Sequence, residues 1–169
     1  PDECALVVQS ETFGRSEMTW AKLRDQVASV ADNLRKMGVT QGDRVVAILP
    51  NTEVALIALL ATASLGAVWS LCAPDMGHVA ILDRFQQIEP KVLIAQDGYI
   101  HAGKQVNRRE VLAEINANLP SVTAFVTLPV IGPLPDTHIA WSTITQDSGR
   151  YQSTQVPFEH PLWIVYSSG

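Results

Sequence analysis

At 169 residues, with 47% hydrophobic and 17% charged residues and a net charge of −5, the sequence describes an acidic globular chain. A complete domain of that size buries roughly 70% of its unfolded surface, enough for a real core. The basic residues are scattered rather than clustered, which argues against a nucleic-acid or anionic-membrane surface. No apolar run approaches the ~18 residues needed to cross a bilayer; the longest, Val54 to Leu71, is broken by Gly66 and carries Thr62, Ser64 and Ser70. The start, Pro1-Asp2-Glu3, shows no basic segment leading into an apolar one, so no signal peptide is read. Cys4 and Cys72 lack metal-like spacing and read as reduced thiols, in keeping with a cytoplasmic protein.

In chain order, Ala5 to Val8 reads as a short strand, and Glu11 to Met18 as a turn leading to a second. Thr19 is a predicted N-cap for a long helix that places Trp20, Leu23, Val27, Val30, Ala31 and Leu34 on one face. Arg35, Lys36 and Gly38 form a basic last turn and a glycine stop. Gly42-Asp43 then turns the chain into Val45 to Leu49, apolar on both faces, as a parallel strand covered by helices must be.

Pro50-Asn51-Thr52 opens a second helix, through Leu65 and ending at Gly66; Val68 to Leu71 is the next strand. Ala80 to Ile88 is the next helix, stopped by Pro90, and Lys91 to Ala95 another buried strand. This alternation predicts an α/β fold, a mostly parallel sheet flanked by helices. Beyond it come a turn-rich loop (Gly98 to Gly103), a helix near Arg108 to Asn118, a strand (Val122 to Leu128) and a loop with three prolines (Pro129 to Pro135). Leu162 to Tyr166 reads as a last buried strand, running into Ser167-Ser168-Gly169. Trp69 and Trp163 read as core or pocket wall.

Several familiar chemical signatures are absent. There is no Gly-x-Gly-x-x-Gly turn, no Gly-x-x-x-x-Gly-Lys-Ser/Thr loop and no Gly-x-Ser-x-Gly elbow. The four histidines, His78, His101, His138 and His160, have no paired ligand spacing, so no metal site is read.

Three local features remain. Ser167-Ser168-Gly169 after a strand is either an ordinary turn or the opening of a phosphate cradle, since backbone N–H groups crowd an anion only where side chains are small. Cys72-Ala73-Pro74-Asp75 follows a parallel strand, where α/β sheets bind ligands, and Asp75 equally suits a helix N-cap. His101-Ala102-Gly103-Lys104, with Arg108 and Arg109 beyond, reads either as a phosphate-receiving loop or as a solvated surface whose positive field Asp97 and Glu110 partly cancel.

The ordered set Thr19-Trp20…Leu23, Gly38…Gly42-Asp43…Val45, Pro50-Asn51 and Leu65-Gly66-Ala67, with the tail His160 to Gly169, resembles the adenylate-forming enzymes, the acyl-CoA synthetase superfamily. The likeness covers essentially residues 17–169. Trp69-Ser-x-Cys-x-Pro-Asp75, Asp83-Arg-Phe-x-Gln-Ile-x-Pro-Lys-Val-Leu93 and Asp97-Gly-Tyr…Gly-Lys104 resemble the branch of acetoacetate–CoA ligases more than the acetate- or propionate-using branch.

That resemblance implies a two-step ligase: ATP, with Mg²⁺, and acetoacetate form an acyl-adenylate and pyrophosphate, and CoA then takes the acyl group. It implies that Ser167, Ser168 and Gly169 begin the loop that holds the ATP phosphates. It implies that His101, Ala102, Gly103 and Lys104, with Ala73, Pro74 and Asp75, lie beside CoA, although His-Ala stands where relatives carry Arg-Gly. It further implies that residues 1–169 are part of the N-terminal AMP-binding domain, ending inside the phosphate loop. Such a piece, without the remainder of the polypeptide, is expected to be inactive and to leave the choice of acid unread. A stand-alone α/β module that binds CoA or a nucleotide without catalysis is the competing expectation.

Overall fold

The computed structural model describes residues 1–11, 14–146 and 150–167. The N-terminal residues form an antiparallel ribbon of β1 (Cys4–Ser10) and β2 (Gly14–Thr19). Thr19 then caps α1 (Trp20–Lys36), its hydroxyl accepting the Lys22 N–H at 3.3 Å. At the other end Gly38, at φ 86°, and Val39 donate to the carbonyls of Arg35 and Leu34. That pair of bonds needs a left-handed residue, which is why the basic last turn is followed by glycine.

The sheet follows from the apolar runs. β3 (Arg44–Ile48), β4 (Val68–Cys72), β5 (Val92–Gln96), β8 (Ala124–Leu128), β9 (Ile139–Ala140) and β10 (Trp163–Ile164) pair in the order β10-β4-β3-β5-β8-β9. Every pairing in it is parallel. β6 (Gly98–His101) and β7 (Lys104–Asn107) form a separate antiparallel hairpin.

Side-chain alternation splits the core in two. Val45, Ala47, Val92 and Ile94 face α1, α2 (Glu53–Ser64) and the short α5 (Trp141–Ile144). Val46, Ile48, Leu93 and Ala95 face α3 (His78–Phe85) and α4 (Arg109–Ala117), through Ile81, Phe85, Leu112 and Ile115. Ser29 stitches α1 to α5, its hydroxyl donating to the Ile144 carbonyl at 2.8 Å.

The expected α/β architecture holds, with local corrections. Trp20, placed on the buried face by helical spacing, is 56% exposed: in the first turn of α1 it lines an open surface groove with Leu60 and Tyr151. The helix expected over Ala80 to Ile88 starts at His78 and tightens into a 3₁₀ turn at Gln86–Ile88.

Gly98 to Gly103 is not a loop but one arm and the turn of the β6–β7 hairpin. The strand read over Leu162 to Tyr166 exists only as Trp163–Ile164, and it is not buried. It is an edge strand paired on one side to β4, so Trp163 is 50% exposed rather than in the core. Trp69, in the middle of the sheet, is 1% exposed as expected.

Candidate functional site

Because the large sheet is parallel, the carboxyl ends of β3, β4, β5 and β10 all open on one edge, the edge at which such sheets bind ligands. Pro50 and Thr52 follow β3, Ala73 to Asp75 follow β4, Asp97 and the hairpin follow β5, and Ser167 follows β10. A cleft of about 160 Å³ lies between the first three of these. Its walls include Glu11, Pro50, Thr52, Pro74, Gln96 and Tyr99.

The Ala73–Asp75 segment is a tight turn closed by the Met76 N–H donating to the Ala73 carbonyl at 3.2 Å. Pro74 is buried against the cleft, whereas Ala73 and Asp75 are exposed. Asp75 does not cap the next helix: Gly77 occupies the N-cap of α3 and supplies no side-chain bond. The N-cap alternative for Asp75 is thereby removed.

His101, Ala102, Gly103 and Lys104 form the tip of the β6–β7 hairpin, and all four are exposed. Ala102 and Gly103 take φ of 50° and 72°, the two-residue turn whose twist suits a hairpin. The Gly103 N–H points at the Glu11 carboxylate, 3.4 Å away. The structure thus brings the hairpin and the Ala73–Asp75 turn to one cleft, since Tyr99 and Ile100 line it opposite Pro74.

Ser167 stands apart from that cleft. β10 lies three strand positions from β5, about 14 Å at ordinary strand spacing. It is held there by the Trp69 N–H on the Leu162 carbonyl (3.0 Å), by the Ser70 hydroxyl on the Ile164 carbonyl (3.0 Å) and by the Tyr166 hydroxyl on the Arg84 carbonyl (3.0 Å). Ser167 itself is exposed, while Ser168 and Gly169 lie outside the described residues. Under this strand end, burial pushes the Cys72 thiol up to about 11, against the opposing pull of the Arg84 charge. Burial also raises Tyr166, offset in part by its hydrogen bond with Ser70. Both groups are neutral near pH 7, and neither is a ready nucleophile.

The two arginines read as a phosphate-receiving pair are committed elsewhere. Arg109 donates to Asp97 Oδ2 from Nε (3.1 Å) and Nη2 (2.8 Å), and Nη2 also reaches the Pro133 carbonyl. Arg108 Nη2 donates to the Met76 carbonyl at 2.7 Å. An ion pair with a carboxylate 3% exposed is a fixture of the fold, whereas Lys104 stands exposed at the hairpin tip.

Sequence reasoning did not name Thr52, Gln96 or Tyr99 as site residues, although Thr52 helps to open a predicted helix and Tyr99 belongs to the Asp97-Gly-Tyr motif. Their signal was position: each follows or ends an apolar run at the binding edge, and Gln96 is a polar residue 1% exposed at the end of such a run.

Three comparisons bear on this site. Acetoacetyl-CoA synthetase from Macaca fascicularis is 38% identical over 184 residues, covering 99% of this chain and 27% of that protein. Acetoacetyl-coenzyme A synthetase from Rhizobium meliloti (strain 1021) is 38% identical over 174 residues, covering 98% of this chain and 26% of that one. The solved structure of acetoacetyl-CoA synthetase from Streptomyces lividans superimposes with a TM-score of 0.97 at 49% identity, over 100% of this chain and 26% of that one. The chain therefore spans about a quarter of the length of the relatives it matches. Residues 1–169 also match the family described as AMP-binding enzyme, and it is to this family that the chain belongs.

Proposed function

We propose that the complete protein is an acetoacetate–CoA ligase. The observation that carries the reading is the likeness, in sequence and backbone together, to acetoacetyl-CoA synthetase across the whole of this chain. In the first step an acetoacetate oxygen attacks the α-phosphorus of ATP and pyrophosphate leaves. In the second, the CoA thiolate attacks the acyl carbon and AMP leaves. Adenylation exchanges a poor leaving group for a good one, which is the reason for consuming ATP.

Within this chain, Ser167, Ser168 and Gly169 are assigned to the start of the loop that cradles the ATP phosphates. The exposed end of β10 at the binding edge supports that assignment. Ala73, Pro74 and Asp75 and the hairpin tip His101 to Lys104 are assigned to CoA. Pro74 of the turn and Tyr99 and Ile100 of the hairpin arm line one cleft, which supports this, and Lys104 at the exposed tip would supply a positive charge for a phosphate.

Mg²⁺ would arrive with ATP. Among the described residues no three His, Cys, Asp or Glu side chains gather to hold a metal ion. We assign residues 1–169 to part of an N-terminal AMP-binding domain that makes no acyl-CoA unaided, being about a quarter of the relatives' length. A cytoplasmic site of action suits the free thiols of Cys4 and Cys72. No helix among the described residues is long and apolar enough to cross a membrane.

The test is pyrophosphate release by the full-length protein with ATP and CoA, offering acetoacetate, acetate or propionate in turn. Acetoacetate giving the highest kcat/KM supports the proposal. Preference for acetate or propionate moves the protein to the neighbouring branch. Binding of CoA or ATP without turnover of any acid would leave a non-catalytic binding module.

A further inference from the structure

We infer that Arg108 is a positioning residue that locks the β6–β7 hairpin to the Ala73–Asp75 turn, and so sets the shape of the proposed CoA site without touching CoA. The inference rests on the assignment of those two loops to CoA.

Among the described residues the hairpin forms no ladder with the large sheet and is a sheet of its own. Besides the long Gly103 N–H contact to Glu11 at its tip, it is anchored at its base, where the Arg108 N–H donates to the Asp97 carbonyl at 2.9 Å and closes the loop from the end of β5 to the start of α4. From that base the Arg108 side chain crosses to the Met76 carbonyl at 2.7 Å. Met76 is the residue whose own N–H closes the Ala73–Asp75 turn. One residue therefore holds the foot of the hairpin through its backbone and the foot of the turn through its side chain. Two further polar ties join α3 and α4 or their ends, His78 to Glu114 at 3.4 Å and Gln86 Nε2 to the Asn118 carbonyl at 3.2 Å; both lie at exposed or half-buried positions, and neither bonds the turn's foot at Met76.

The geometry makes small errors matter. Gly98 and the tip at His101 are three residue steps apart, a lever of about 10 Å. A tilt of about 5° at the base moves the tip by about 1 Å, a misplacement of the size that can cost up to about a hundredfold in rate. Arg108 makes this tie through one donor, Nη2, while its buried Nε has no hydrogen-bond partner among the described residues, and the planar guanidinium aims that donor better than a flexible ammonium.

The experiment uses the full-length protein with Arg108→Met, Arg108→Lys and Lys104→Ala, measuring KM for CoA, KM for ATP and acid-dependent ATP–pyrophosphate exchange. For Arg108→Met the expected result is a CoA KM raised about tenfold, with exchange and the ATP KM within about twofold of wild type. Arg108→Lys, which keeps one donor, restores most of the CoA KM. Lys104→Ala raises the CoA KM directly.

If Lys104→Ala weakens CoA while Arg108→Met does not, the inference is overturned and the assignment of the hairpin survives. If Arg108→Met is selective for CoA and Lys104→Ala is silent, the coupling stands and the contact lies on the Ala73–Asp75 turn. Equal damage to both half-reactions, unrescued by lysine, makes Arg108 a general structural residue and overturns the inference. Silence from Arg108→Met and Lys104→Ala together overturns both the inference and the loop assignment.

Discussion

The guanidinium of Arg84 lies over the ring of Tyr166, 5.3 Å from its centroid, and the Tyr166 hydroxyl donates back to the Arg84 carbonyl at 3.0 Å. These two contacts tie the last turn of α3 to the residue that immediately precedes Ser167. β10 contributes only Trp163 and Ile164 to the ladder, so two backbone pairings alone hold it weakly. Removing the hydroxyl in Tyr166→Phe is expected to cost about 1 kcal/mol locally. Tyr166→Ala also removes the cation–π contact, worth about a further 0.5–1 kcal/mol. Hydrogen exchange at the Trp69 amide, which donates to the Leu162 carbonyl, reads the attachment directly. Exchange should quicken in the order wild type, Tyr166→Phe, Tyr166→Ala, and the KM for ATP should rise in the same order. An unchanged Trp69 amide in Tyr166→Ala means that another contact anchors the strand.

The two cysteines should differ sharply in reactivity. Cys72 is 2% exposed and its thiol is pushed up to about 11, so at pH 8 only about one molecule in a thousand carries the reactive thiolate. Cys4 lies exposed on β1. Iodoacetamide at pH 8 followed by peptide mapping should modify Cys4 within minutes and leave Cys72 intact until the protein is denatured. Labelling of native Cys72 at a comparable rate would show that the β4–β10 edge opens readily.

How far these features were legible depends on what determines them. The sheet was readable because Val45 to Leu49 and Lys91 to Ala95 are apolar on both faces, and only a strand covered on both sides needs that. The ends of α1 were readable because Thr19 and Gly38 solve local hydrogen-bonding problems with local residues.

Trp20 misled because periodicity tells which side a residue faces, not whether anything covers that side, and Trp163 because a large aromatic is usually buried whereas this one sits on an edge strand. The hairpin was hidden for a different reason. Gly98 to Asn107 is short and largely polar, and its turn is set by the left-handed Ala102 and Gly103 rather than by an Asn-Gly pair. The site fared alike: the binding edge followed from sheet topology, whereas the diversion of Arg108 and Arg109 to Met76 and Asp97 depends on contacts that no spacing encodes.

Acid stability should carry a contribution from Asp43. Burial pushes its carboxyl up, but the Lys91 ammonium at 2.9 Å and the Thr40 N–H and hydroxyl at 2.8 and 2.9 Å more than offset this, leaving it below the usual carboxylate value. A group depressed in the folded state binds its proton more readily when unfolded. Its stabilisation is therefore complete above the unfolded value of about 4 and is lost as pH falls through the lower folded value. Both partners are partly exposed, so solvent screening limits the effect to about 1 kcal/mol. Asp43→Asn should lower the thermal midpoint at pH 7, and the gap from wild type should close below about pH 4. A gap that persists unchanged to pH 3 would assign the loss to packing rather than charge.

The heaviest structural penalty should come from Asp97. Its side chain is 3% exposed and saturated: Oδ1 accepts the N–H groups of Val130 and Ile131, at 2.6 and 3.1 Å, and Oδ2 accepts two bonds from Arg109. This one carboxylate ties the end of β5, the start of α4 and the proline-bearing loop after β8. In Asp97→Asn the amide oxygen keeps the loop N–H groups, but its NH₂ then faces the Arg109 fork, donor against donor. A loss of about 3 kcal/mol is expected from breaking a buried pair in this way. Arg109→Met leaves the carboxylate buried with its two N–H partners and no counter-charge, a loss of similar origin. Because each single change strands the other partner, the double variant Asp97→Asn/Arg109→Met should be more stable than the sum of the single losses, by more than about 0.5 kcal/mol. Thermal unfolding of the four proteins closes the cycle. Additivity within about 0.5 kcal/mol would mean that the N–H groups of Val130 and Ile131, rather than Arg109, account for the role of Asp97.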